Sequence, residues 1–301
     1  MSTPTIPPQL ESRARAAFLG LALGDALGAT TEFMTPMEIR NQYKVHRAIV
    51  GGGWLHLKSG RVTDDTEMSL CVAQAIVDQQ GWQLSAIADN FVGWMKGKPI
   101  DIGSTCRKGI RDYLLNGNLK QPFSDNDAGN GALMRLLPTA LYTYGDADLL
   151  ARYAVEQAHL THHHPLSDAA CITFGKMIHA AIGGADRFAL HALARELIEA
   201  HPKFHFNDYR GHASGYVVET VQTVLHFFFT TNTFEECLIG IVNQGGDADT
   251  TGAIGGALAG AFYGEAELPR TWTKKLDPVV AAKVQKIAVD LIQRSPAMTK
   301  R

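Results

Sequence analysis

The chain has 301 residues, 46% of them hydrophobic and 19% charged, which is enough apolar side chain for a large buried core. A formal net charge of -2 excludes a nucleic-acid or anionic-membrane binder that works by bulk electrostatics. Four scattered cysteines (Cys71, Cys106, Cys171, Cys237) form no CxxC pair, which argues against a zinc knuckle or disulfide framework and for a reducing, cytoplasmic setting.

In chain order, residues 1–12 read as a flexible N-terminal tail, and MSTPTIPPQLESRAR lacks the apolar core of a signal peptide. An apolar Gly/Ala helix follows around Ala16–Ala29, with Gly20, Gly24 and Gly28 on one face and Asp25 within it; it is too short and too interrupted to span a bilayer. Helical periodicity recurs over 66–79 (Met68, Cys71, Val72, Ala75, Ile76), with a start near Thr66, and over 189–200. Val217 to Phe229 is β-branched and aromatic enough for a strand. Its length and the steps Val217, Val221, Val224, Leu225, Phe228 favour a helix. Gly252, Gly256 and Gly260 repeat the small-residue face in a second apolar segment, and 279–293 closes the series. Turn chemistry at Gly51–Gly53, Asn116–Gly117, Gly183–Gly184 and Gly245–Gly246 punctuates these segments. With no linker or repeat, this is a single all-α domain of a dozen or more helices, read as a monomer.

Three acidic clusters interrupt the packing. Asp25 and Glu32 straddle the end of the first Gly/Ala helix, where a buried carboxylate is costly unless paired or bound to a metal. Thr63-Asp64-Asp65-Thr66-Glu67 and Gly245-Gly246-Asp247-Ala248-Asp249-Thr250 each open an apolar helix. Both have a plain alternative use as helix caps. The second loop, however, offers more side-chain oxygens than a cap needs. The plausible ligands Thr63, Asp64, Asp65, Asp247, Asp249 and Thr250, with Glu32 as a further one, are all hard oxygens suited to Mg²⁺, Mn²⁺ or Ca²⁺. So many carboxylates in one cleft need cations, and their number argues for two. His162-His163-His164 before Pro165 invites a zinc reading, but consecutive histidines point apart and no HExxH follows.

The segments GLALGDALGATTEF (20–33), GGGWLHLKSGRVTDDTEMSL (51–70), DIGSTCRKGIR (101–111), DAGNGALMRLLP (127–138), THHHPLSDAAC (161–171) and NQGGDADTTGAIGGALAGAFYG (243–264) resemble, in order, the ADP-ribosylglycohydrolase family. The resemblance implies the family's all-α fold with a central cleft holding two Mn²⁺ or Mg²⁺ ions. It also implies hydrolysis of the N-glycosidic bond between ADP-ribose and a protein arginine. It maps metal ligands onto Thr63, Asp64, Asp65, Asp247, Asp249 and Thr250, a mobile glutamate onto Glu32, and a ribose-proximal aspartate onto Asp101. Ser104 stands where this branch often has Asn. Gly129, Asn130, Gly131 and Met134 become substrate-binding candidates, the glycine run supplying N–H groups to a pyrophosphate. His162 is a further substrate contact. Tyr216 either stacks on adenine or is a core tyrosine, and Trp54 is either a lid residue or a packed aromatic.

Stretches 43–60 and 204–231 are like a bacterial branch of the family that acts on the ADP-ribosylated iron protein of nitrogenase, dinitrogenase reductase. That likeness implies regulation by PII-type signalling proteins and recruitment to a membrane ammonium channel, hence reversible peripheral membrane association. In the mechanism expected, Asp101 is nucleophile or electrostatic stabiliser, and Asp64 or Glu32 steers the water or the leaving-group proton. Rival readings are hydrolysis of ADP-ribosyl-serine or O-acetyl-ADP-ribose, non-catalytic ADP-ribose binding, and di-metal phosphohydrolysis.

Overall fold

The computed structural model describes residues 6–211 and 213–299. These form fifteen α-helices: α1 (Pro8–Gly28), α2 (Pro36–Tyr43), α3 (Asp64–Asp78), α4 (Leu84–Lys96), α5 (Ser104–Asn116), α6 (Leu137–Tyr142), α7 (Ala147–His159), α8 (Pro165–Ile182), α9 (Arg187–Ala200), α10 (Val217–Thr230), α11 (Phe234–Val242), α12 (Ala248–Tyr263), α13 (Arg270–Thr273), α14 (Pro278–Gln293) and α15 (Pro296–Thr299). No strand occurs among the described residues, only isolated bridges at Gly52–Leu57 and Gly129–Tyr216.

Helices α1 and α12 form the centre. Residues 16–28 of the first and 248–261 of the second are buried without interruption, as expected of helices apolar on every face. The two glycine stripes face each other: Gly20 meets Gly256, Gly24 meets Gly252, and Gly28 meets Ala248, so the helices run antiparallel. A Cβ on Gly24 would stand 2.0 Å from the Gly252 carbonyl oxygen, so only glycine permits this approach. The register carries the C-terminal end of α1 to the N-terminal end of α12. Helices α8, α10 and α11 pack on α12, α14 packs on α1, and α3 touches both central helices.

Two sequence expectations are corrected. Residues 8–12 are helical rather than tail: Pro8 sits where its missing N–H costs nothing, and Ile6 and Leu10 are buried. Residues 1–5 of the expected tail lie outside the described residues. Helix α3 starts at Asp64, two residues before Thr66, because its first N–H groups are capped from another helix, as described below. Val217–Thr230 is helical, as its spacing indicates. No described helix is long and apolar enough to cross a membrane.

Candidate metal centre and active-site cleft

Asp25, fully buried in α1, fixes the start of α3. Its carboxylate accepts the Thr63 N–H at 2.9 Å, the Thr66 N–H at 3.1 Å, and both threonine hydroxyls, at 2.9 and 2.5 Å. Thr63, the N-cap residue, makes no capping bond with its own side chain. Asp25 therefore caps α3 from across the core and leaves Asp64 and Asp65 free in its first turn. The cap alternative for this motif thus belongs to Asp25, whose role the sequence reading did not assign.

The opposing loop is shaped by consecutive left-handed glycines, Gly245 (φ 66°) and Gly246 (φ 63°). The Gly246 N–H donates to the Met34 carbonyl at 2.9 Å, and the Phe33 N–H donates to the Gly246 carbonyl at 2.6 Å. These bonds stitch the turn carrying Glu32 to the start of α12, where Asp247 is the N-cap residue and Asp249 lies in the first turn. Glu32, Asp247 and Asp249 each bring a carboxylate oxygen within 4.8 Å of the other two. Asp65 and Asp249 occupy equivalent places, each second in its helix, where the helix dipole favours negative charge.

Thr63 Oγ1 links the two helix starts. It lies 2.9 Å from Asp25 Oδ1, 3.0 Å from Asp65 Oδ2 and 3.3 Å from Asp249 Oδ2, yet has one proton to give. Asp65 Oδ1 is buried with no hydrogen-bond partner. Burial, then the charge of a neighbouring aspartate (Asp25 for Asp65, Asp65 for Asp249), holds both well above the usual carboxylate range. Burial, followed by the charge of Asp101, pushes Asp64 to about 7. Burial pushes Glu32 to about 8 against the Trp54 N–H, which donates to Oε2 at 2.6 Å. Asp25 rises to about 6, burial outweighing its four hydrogen bonds. An orphaned buried carboxylate oxygen, excess acceptors around one proton and an all-oxygen donor set fit hard divalent cations.

A cleft of about 530 Å³ opens above this centre. Its lining includes Glu32, Asp64, Asp101, Ser104, Gly129, Asn130, Gly131, Met134, His162, Asp247, Asp249 and Thr250. Thr63 and Asp65 lie behind, in the buried floor. Asp101 accepts its neighbour Ile102's N–H at 2.7 Å, and burial raises its pKa. Asp64 accepts the Gly103 N–H at 3.2 Å, tying the start of α5 to the acidic floor.

Tyr216 is not among the lining residues. Its backbone bridges to Gly129 and its ring packs partly buried on the core. The Asn130 N–H donates to the Gly215 carbonyl at 3.0 Å and so is withdrawn from any phosphate cradle. Its side chain instead donates to Asp247 at 2.7 Å and to Thr220 at 3.0 Å. Trp54 stands half-exposed at the rim against Phe33, with ring centroids 5.2 Å apart. The three histidines diverge: His162 is buried, His163 bonds the Gln121 carbonyl, and His164 caps α8. Sequence reasoning missed the tie between Asn130 and Asp247 and the indole on Glu32. Asn130 between two glycines and Trp54 after three were visible, but not their partners.

The ADP-ribosylglycohydrolase family model matches residues 6–300. The chain is 51% identical to the ADP-ribosyl-[dinitrogen reductase] glycohydrolase of Rhodospirillum rubrum, covering 93% of this chain and 95% of the relative. It is 32% identical to the ADP-ribosylarginine hydrolase Tri1 of Pseudomonas putida, over 96% of this chain and 80% of that one. A solved ADP-ribosylglycohydrolase-related protein complex superposes with a TM-score of 0.86 at 31% identity, covering 96% of this chain and all of the other. By sequence and by fold, the chain belongs to the ADP-ribosylglycohydrolase family.

Proposed function

We propose that this chain is a metal-dependent hydrolase of the N-glycosidic bond between ADP-ribose and an arginine, with ADP-ribosylated dinitrogenase reductase as its protein substrate. The convergence of Glu32, Asp247 and Asp249 at the floor of an otherwise ligand-sized cleft carries this reading. The names of the two relatives, one acting on dinitrogen reductase and one on ADP-ribosylarginine, supply the substrate.

Thr63, Asp64, Asp65, Asp247, Asp249 and Thr250, with Glu32, are the residues that would hold two Mn²⁺ or Mg²⁺ ions. Such ions supply positive charge that neutralises the carboxylates, orients the ribose and acidifies a water. Asp101, on the cleft wall, faces the sugar and stabilises the positive charge that grows at the anomeric carbon, or attacks it. Water adds to that carbon as its bond to the guanidine nitrogen breaks, and the departing guanidine takes a proton. Glu32 and Asp64 both line the cleft, and either would steer the attacking water or the proton taken up by the departing guanidine. Gly129, Gly131, Met134, Ser104 and His162 bound the space left for the nucleotide. PII-type regulation, recruitment to an ammonium channel and a cytoplasmic location belong to the same reading and rest on the likeness to the nitrogenase branch.

Incubation with arginine-ADP-ribosylated dinitrogenase reductase should release free ADP-ribose with Mn²⁺ and none with EDTA. Release from a serine-modified protein instead, release of AMP, or release insensitive to EDTA would each overturn the reading.

A further inference from the structure

Beneath the cleft lies a cation that the chemistry above does not use. Arg135 is fully buried and forms no ion pair with a carboxylate among the described residues. An interior guanidinium is costly, and here neutral groups hold it. Nε donates to Gln157 Oε1 at 2.9 Å. Nη2 donates to the Gln157 carbonyl at 2.8 Å and to Thr161 Oγ1 at 2.8 Å. The ring of Phe91 covers it at 4.9 Å. Nη1 faces only Cys106 Sγ, at 3.6 Å.

Thr161 Oγ1, already accepting from Arg135, lies 2.7 Å from His162 Nδ1. Its own proton can go to that nitrogen or to the nearby Cys106 sulfur. The imidazole nitrogen is much the better acceptor, and donation from a guanidinium polarises the hydroxyl further. With Nδ1 accepting, the ring proton of a neutral imidazole must sit on Nε2. That nitrogen bonds no protein atom among the described residues. It lies against the glycine loop at the cleft wall, where a Cβ on Gly129 would come within 2.9 Å of it.

We propose that Arg135 is a positioning residue: acting through Thr161, it holds His162 as the neutral Nε2–H tautomer and so presents one hydrogen-bond donor to substrate at the glycine loop. The donor's use rests on the function proposed above; the tautomer does not. Burial and the Arg135 charge, which push the imidazole to about 3, keep the donor neutral across the working pH range.

Nitrogen-15 NMR of the full chain with labelled histidine, His162 being assigned by its loss in His162→Asn, reads the tautomer directly. The expected result is a proton on Nε2 from pH 6 to 8, kept in Thr161→Ser and lost or mixed in Thr161→Val and Arg135→Met. The KM for ADP-ribosylarginine should rise about tenfold in Thr161→Val, with kcat changed less, and return in Thr161→Ser. A proton on Nδ1 in the unmodified chain overturns the proposal without needing any variant to fold. So does an Nε2–H tautomer that persists in a folded Thr161→Val protein. An inactive chain that still shows the expected tautomer would sink the proposed function and leave the relay standing.

Discussion

The response of stability to divalent metal should grow with pH, and the buried carboxylates give both its sign and its size. In the metal-free fold Asp25, Asp64 and Glu32 titrate near about 6, about 7 and about 8, above their ordinary values of 3.8, 3.8 and 4.5. The folded chain therefore binds more protons than the unfolded chain from about pH 4 to 8. The contribution of these groups is intact below their unfolded pKa values and is lost as pH rises through the folded ones. For Asp64 alone the shift amounts to on the order of 4 kcal/mol against the metal-free fold at pH 8. Cations that replace those protons bind better as the pH rises. At a Mn²⁺ concentration about a hundred times Kd, the fold should gain about 2.7 kcal/mol. For a chain of this size that is a Tm increase of roughly 4 °C. Thermal melts with EDTA or Mn²⁺ at pH 5.5, 7 and 8 measure it, with the Asp65→Asn/Asp249→Asn double variant as control. A Mn²⁺ increment that is absent, shrinks from pH 5.5 to 8, or survives in the control would refute the reasoning.

Other perturbations test single contacts. Gly24→Ala should destabilise by about 3 kcal/mol in urea titration, because the new methyl meets the Gly252 carbonyl. Helix propensity alone gives the opposite sign, a gain of about 1 kcal/mol, so the direction decides between them. Asp25→Ala strands the Thr63 and Thr66 N–H groups; it should cost about 2–4 kcal/mol in the same assay and weaken Mn²⁺ retention on gel filtration. Asp101→Asn should lower kcat by about a hundredfold with ADP-ribose affinity little changed, and near-normal turnover would remove Asp101 from the chemistry. Trp54→Phe deletes the donor that favours ionised Glu32, so Mn²⁺ affinity at pH 7 by calorimetry should fall about fivefold.

What could be read in advance follows from what sequence encodes locally. Helical periodicity over 217–229 outweighed its β-branched residues because packing on one face, rather than propensity, decides such segments. The all-oxygen donor set was visible because each acidic motif is contiguous. The residues that organise those motifs were not, because their partners lie far away in the chain. Asp25 caps a helix that begins 39 residues later. Asn130 holds Asp247 across 117 residues, and so cannot serve as the free donor that a glycine-rich loop suggests.

One long-range relation was nonetheless written in the chain. Two helices carrying glycine at every fourth position can each approach a partner closely only along that stripe, and the cheapest partner for one stripe is the other. Matched antiparallel, Gly20, Gly24 and Gly28 meet Gly256, Gly252 and Ala248. That pairing alone brings Asp25 and Glu32 to the Asp247–Thr250 loop before any metal is considered. The acidic cluster is thus a product of backbone packing: close contact between glycines brings together carboxylates that repel one another, and cations can relieve that repulsion.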